Sequence, residues 1–142
     1  MKGIHMRISI SIRKNLLNIF LVFVVAGLYL LNNVYFKYVT KGILCQFMNG
    51  YFNDLICPLF FSAYSNILLG SVHKKLSKLW QLAIISLCTG LIWEYFAPSV
   101  NAGAVSDPWD IVCYELGTVL YWSLLKCINE IKERRKINDA AT

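Results

Sequence analysis

The sequence predicts an all-α fold, a four-helix transmembrane bundle with both termini cytoplasmic. Three observations predict it. Hydrophobic residues make up 57% and charged residues 15% of the 142, and mean hydropathy is +0.52; soluble chains hold roughly 45–50% apolar and about 25% charged residues. Four apolar runs approach or reach the 17–25 residues that cross a bilayer core about 30 Å thick. All but Lys37 and Lys41 of the 14 Lys and Arg fall in three clusters on one side of those runs. This composition excludes disorder, a coiled coil and most soluble enzymes.

The first span is expected at Leu16–Tyr35, uncharged throughout and preceded by Lys2, Arg7, Arg13 and Lys14. That start is similar to a signal peptide, but the apolar run is too long and lacks an A-x-A site, so an uncleaved anchor is expected. Gly42–Phe52 is apolar but broken by Gln46, Asn49 and Gly50, which suits an interfacial or re-entrant segment. The second span, Leu55–Gly70, is entered by Asn53-Asp54 as helix caps with Pro58 close behind. The third, Trp80–Ala97, is expected to stop at Pro98. The fourth, Trp109–Leu125, is entered by Ser106-Asp107-Pro108, and a basic tail over 126–142 continues its helix, with Glu130 and Arg134 spaced i,i+4. Trp80, Trp93 and Trp109 suit an interfacial aromatic belt. The whole of 1–142 reads as one membrane domain without internal repeats.

The basic clusters before span one, between spans two and three (Lys74, Lys75, Lys78) and after span four assign that side to the cytoplasm. The net charge of +6 therefore points to membrane lipids and not to nucleic acid. Cys45, Cys57, Cys88, Cys113 and Cys127 contain no C-x-x-C pair and suit neither zinc nor a disulfide framework. A Cys45–Cys57 bridge requires both thiols to face an oxidising compartment.

Five of the eight acids, Asp54, Glu94, Asp107, Asp110 and Glu115, lie at or just below the surface opposite the basic clusters. Carboxylates within spans cost about 2.5–3.5 kcal/mol on insertion scales and commonly mark function. Asp107 and Asp110 also fit helix-start positions favoured by the dipole. Asp107, Asp110, Tyr114, Gly117 and Tyr121 recur every three or four residues and share one face of span four. Glu115 points about 140° away from Asp110 at 100° per residue. Ser86, Gly90 and Glu94 share a face of span three, where small residues permit close helix packing at Gly90 and Gly117. Asp54, Glu94, Asp107, Asp110, Tyr114 and Glu115 are thus the candidate polar site. If a metal binds, Glu94, Asp107 and Asp110 are its expected ligands, and their oxygens suit Mg²⁺ or Ca²⁺. Both His5 and His73 lie in basic clusters, which argues against a Ser-His-Asp triad at the acidic end.

The stretch EYFAPSVNAGAVSDPWDIVCYELG (Glu94–Gly117) resembles the C-terminal half of VanZ-like proteins, small integral membrane proteins of the bacterial inner membrane. In that family a Glu late in one span precedes D-x-x-x-N-x-x-G at the start of the last. Glu94, Asp110 and Gly117 match these positions, whereas Tyr114 replaces the Asn, Pro98 stands near the family's Gln, and the loop Arg is absent. Asn53–Pro58 (NDLICP) is similar to a motif of small bacterial proteins labelled magnesium–citrate transporters. The resemblance implies a cell-envelope role; the family's founding member is associated with teicoplanin resistance.

Three functions follow as expectations. The first is binding or modification of an envelope lipid or cell-wall headgroup at an outward carboxylate cluster. The alternatives are a non-catalytic membrane helper subunit and a small ion or organic-acid transporter. Homo-oligomers or a membrane protein partner are compatible with each.

Overall fold

A computed structural model of the chain describes residues 2–100 and 107–141, and among them the structure is helical without strands. The helices are α1 (Lys2–Leu31), a π-helical turn (Asn32–Phe36), α2 (Lys37–Val39), α3 (Gly42–Gly50), α4 (Phe52–Ser71), α5 (Leu79–Val100) and α6 (Pro108–Ala141). Four stretches are long and apolar enough to cross a membrane: Asn15–Val39, Gly42–Ser71, Leu79–Phe96 and Pro108–Asp139. Large apolar side chains such as Phe23, Val34, Phe61, Ile92 and Val119 are exposed on the outside of the bundle. Such a surface is stable only in an apolar solvent.

Helix α4 packs between α1 and α6, and α5 packs against α6. The apolar core is Leu21, Ala63, Leu82, Tyr121 and Leu125, drawn from all four long helices. Beside it, at the end that carries the basic clusters, the Tyr121 hydroxyl donates to Asn18 Oδ1 at 2.9 Å. Asn66 Nδ2 donates to Tyr121 Oη at 2.7 Å and to the Leu76 carbonyl at 3.0 Å. The Leu76 N–H returns a 2.7 Å bond to Asn66 Oδ1. One asparagine thereby uses both amide protons and its oxygen to tie α4 to α6 and to the α4–α5 loop. That loop leaves α4 through a left-handed residue, His73 at φ 58°, with Lys74 N–H bonded to Leu69 O and His73 N–H to Gly70 O. This is a Schellman end built without its usual glycine.

Several sequence expectations are corrected. The first apolar helix runs beyond Tyr35 to Val39, because the π-turn absorbs one extra residue and lets the chain continue. Within Gly42–Phe52, whose membrane position was the expectation, the local structure is helical: α3 starts at Gly42, whose φ of 64° only glycine adopts freely, and breaks from α4 at Tyr51. Asn53 and Asp54 do not cap α4, which begins at Phe52 without a side-chain cap; both are bonded to other helices instead. Pro58 sits inside α4, beyond its first turn. Helix α5 passes Pro98 and ends at Val100; a proline forfeits one i−4 bond, which is tolerable so near a helix end. Residues 101–106, including Ser106 of the expected helix start and the middle of the Glu94–Gly117 stretch, lie outside the described residues.

Candidate functional site at the acidic end

The start of α6 organises this end. Asp107 is its N-cap and Pro108 its first helical residue, the arrangement that wastes no backbone donor. Asp107 Oδ1 accepts the Trp109 N–H at 3.0 Å. Asp107's own N–H donates to Glu94 Oε2 of α5 at 2.9 Å. In a capping box that second bond would come from the third residue of the same helix, here Asp110. Glu94 performs the task from a neighbouring helix, at only 5% exposure.

Two tyrosines extend the network. The Tyr51 hydroxyl, at the α3–α4 junction, donates to Asp107 Oδ2 at 3.2 Å. The Tyr114 hydroxyl of α6 donates to Asp54 Oδ1 of α4 at 3.2 Å. The Tyr114 ring lies against Gly90, where an added Cβ would approach its Cδ2 to 3.0 Å. Its carbonyl accepts from Ser86 Oγ of α5 at 3.2 Å and from Thr118 Oγ1 at 3.0 Å. Gly117 lies under the Leu55 carbonyl and the Pro58 ring of α4. The α6 stripe of Tyr114, Gly117 and Tyr121 is thus the face that receives α4 and α5.

Of the candidate residues, Glu94 is bonded directly to Asp107, and Asp54 separately to Tyr114. Asp110 is half-buried and within electrostatic reach of Asp54, Glu94 and Asp107. Glu115 is not brought to the site: it lies on another face of α6, half-buried, with Oε1 buried and unbonded among the described residues. Among those residues no group of three or more His, Cys, Asp or Glu is disposed to hold a metal ion. For Glu94 and Asp107 the physical reason is visible, since their oxygens face peptide N–H groups and a tyrosine hydroxyl. The five cysteines are free, Cys45 and Cys57 included.

The sequence reading missed four contributors. Tyr51 was hidden in a segment without clear periodicity. Lys37, set apart from the three basic clusters, is within electrostatic reach of Asp54. Asn32 and Asn53 join α1 to α4, Asn32 Nδ2 donating to Asn53 Oδ1 at 3.0 Å and to the Met48 carbonyl at 2.8 Å. Asn32 is fully buried, and its Oδ1 has no hydrogen-bond donor among the described residues. An amide within an otherwise apolar run was the available signal.

The capping role predicts a split between two substitutions. Glu94→Gln retains an acceptor for the Asp107 N–H and should shift stability by less than about 1 kcal/mol, whereas Glu94→Ala orphans a half-buried donor and should cost about 1–3 kcal/mol. Titration of micellar protein with sodium dodecyl sulfate, followed by circular dichroism, checks this. Equal losses in both variants would reject the cap.

Comparison with protein-family models, with curated proteins and with solved structures finds no match to this chain.

Proposed function

We propose that this multi-pass membrane protein is VanZ-like, resides in a bacterial inner membrane with both termini cytoplasmic, and uses its outward acidic end to bind the polar headgroup of an envelope lipid or cell-wall precursor. The observation that carries this reading is that Asp54, Glu94 and Asp107, from α4, α5 and the start of α6, lie at one end of the bundle, Glu94 bonded to Asp107 and each aspartate accepting from a tyrosine hydroxyl. Three separate helices bring carboxylates to one level, a costly arrangement in an apolar chain. Asp110, beside them and half-buried, is the carboxylate placed to meet hydroxyl or ammonium donors of a headgroup. The orientation rests on the distribution of Lys and Arg.

Two measurements test it. In a background without native cysteines, single cysteines at Ala102 and Lys75 are treated on intact cells with an impermeant thiol reagent. Labelling at 102 alone is expected; labelling at 75 alone would turn the acidic end inward and reject an envelope ligand. Lipids co-purifying with wild type and with Asp54→Asn/Asp110→Asn are then compared by mass spectrometry. A bound lipid should fall about tenfold for each charged hydrogen bond lost, while the unfolding midpoint stays put. Equal lipid content in both proteins would reject headgroup binding.

One observation favours a second reading, a non-catalytic helper subunit: Glu94 and Asp107 both spend oxygens on capping α6. On that reading the double variant loses no lipid, whereas Glu94→Ala and Asp107→Ala lose stability.

A further inference from the structure

At the opposite end of the bundle, α6 continues well past its packed core and forms a groove of about 420 Å³ with the α4–α5 loop. One wall is Ser77 of that loop; the other is the face of α6 carrying Trp122, Lys126, Glu130, Glu133 and Arg134. Trp122, Lys126, Glu130 and Arg134 recur every four positions, with Glu133 three beyond Glu130, so they share one side of the helix. Lys126 Nζ lies 5.4 Å from the Trp122 ring centroid, pairing an indole with an ammonium as membrane boundaries favour.

The depth of the groove follows from helix geometry. Helix α6 has 34 residues, about 51 Å at 1.5 Å per residue, whereas the bilayer core is about 30 Å thick. With Trp109 at one boundary, the other falls about 20 residues later, between Lys126 and Glu130. The groove therefore straddles the level of lipid headgroups, Trp122 on the hydrocarbon side and Arg134 on the water side.

Charges of both signs line the groove. Lys126 and Glu130 are one turn apart, about 6 Å of rise, and Arg134 follows after another turn. A headgroup carrying only negative charge would meet Glu130 and Glu133 as well as the cations. A headgroup with a phosphate and a primary ammonium on a short arm matches both signs. A trimethylated ammonium has no N–H to donate to a carboxylate, so choline lipids match less well. Basic residues of the neighbouring loop, Lys74, Lys75 and Lys78, draw phosphate to the same level.

We propose that this groove seats the headgroup of a zwitterionic phospholipid with a primary amine, its phosphate against Lys126 and Arg134 and its ammonium against Glu130 and Glu133. The site needs only that α6 crosses the bilayer; it is independent of what the acidic end binds.

The test uses the purified full chain, delipidated in detergent and given equal amounts of phosphatidylethanolamine, phosphatidylcholine and phosphatidylglycerol, with retained lipid read by native mass spectrometry. One retained phosphatidylethanolamine per chain is expected, in preference to the other two. Lys126→Gln/Arg134→Gln and, separately, Glu130→Gln/Glu133→Gln should each lower retention about tenfold or more, the equivalent of at least one charged hydrogen bond. Lys126, Glu130, Glu133 and Arg134 are exposed, and the unfolding midpoint is measured for each variant; retention that falls only in step with stability would overturn the proposal. Preference for phosphatidylglycerol would reduce the groove to a basic surface and overturn the proposal. Equal retention of phosphatidylcholine, retention of no lipid, or unchanged retention in the glutamine variants would each overturn it as well.

Discussion

Replacing Gly117 by leucine is expected to abolish the folded bundle, and replacing it by alanine to cost about 1–3 kcal/mol, the usual penalty for overfilling a packed interface. A Cβ at this position would collide with the Leu55 carbonyl oxygen and lie 3.2 Å from Pro58 Cδ. Neither obstacle is a flexible side chain. One is peptide backbone and the other a ring fixed to it, so relief requires α4 to move away from α6. That movement would pull Asp54 from the Tyr114 hydroxyl, since Asp54 precedes Leu55 in the chain. Gly90→Ala should be milder, because the neighbouring atom is the edge of the Tyr114 ring, which can shift by tenths of an ångström. Gly27 has nothing within 4 Å; there alanine should be neutral or stabilising by up to about 1 kcal/mol through helix propensity. The order of detergent unfolding midpoints, Gly27→Ala above Gly90→Ala above Gly117→Ala, checks the argument. A Gly117→Ala midpoint equal to wild type would mean that α4 and α6 are not in close contact there.

The same interface shows what periodicity can and cannot reveal. Tyr114, Gly117 and Tyr121 were legible as one face because the helical repeat is local. Small residues beside large ones mark close approach whatever the partner helix. The partner itself, Leu55 with Pro58, was not legible, because nothing local states which helix will lie against a glycine. Pro58 and Pro98 misled for a related reason. They were read as a helix start and a helix stop, whereas both lie within helices. In an apolar solvent the helix is the only local conformation that satisfies the backbone, so a proline is carried along more readily than in water. Asn53 and Asp54 fit the statistics of capping, but tertiary donors, Asn32 and Tyr114, hold them instead. At the acidic end, Asp107 was legible as a cap from Ser106-Asp107-Pro108. The return bond from Glu94 joins residues 13 positions apart, beyond any local pattern.

The buried asparagines were the larger omission, and Asn66 carries the second prediction. Asn66→Leu is expected to cost about 3 kcal/mol, several times the cost of Asn18→Leu. The two residues look alike in sequence, each a single amide in an apolar run. Their bonding differs. Asn18 accepts one bond, from Tyr121, and an interhelical hydrogen bond in a membrane contributes about 0.6 kcal/mol on average and about 1.7 at most. Asn66, 1% exposed, makes three bonds, two of them to the backbone of Leu76. Leucine at 66 leaves the peptide N–H and C=O of half-buried Leu76 without their partners, and each such group costs about 1–3 kcal/mol. The loss should also propagate along the loop. Ser77 follows Leu76 directly and forms one wall of the α6 groove, so lipid retained there should fall in Asn66→Leu although Asn66 does not line it. The capping network at the acidic end shares no residue with this one, and the Glu94→Gln and Glu94→Ala differences should add to the Asn66→Leu loss within about 0.5 kcal/mol. Equal midpoints for Asn18→Leu and Asn66→Leu would show that the loop holds itself through its Schellman turn, and would remove the asparagine as the link between the bundle and its groove.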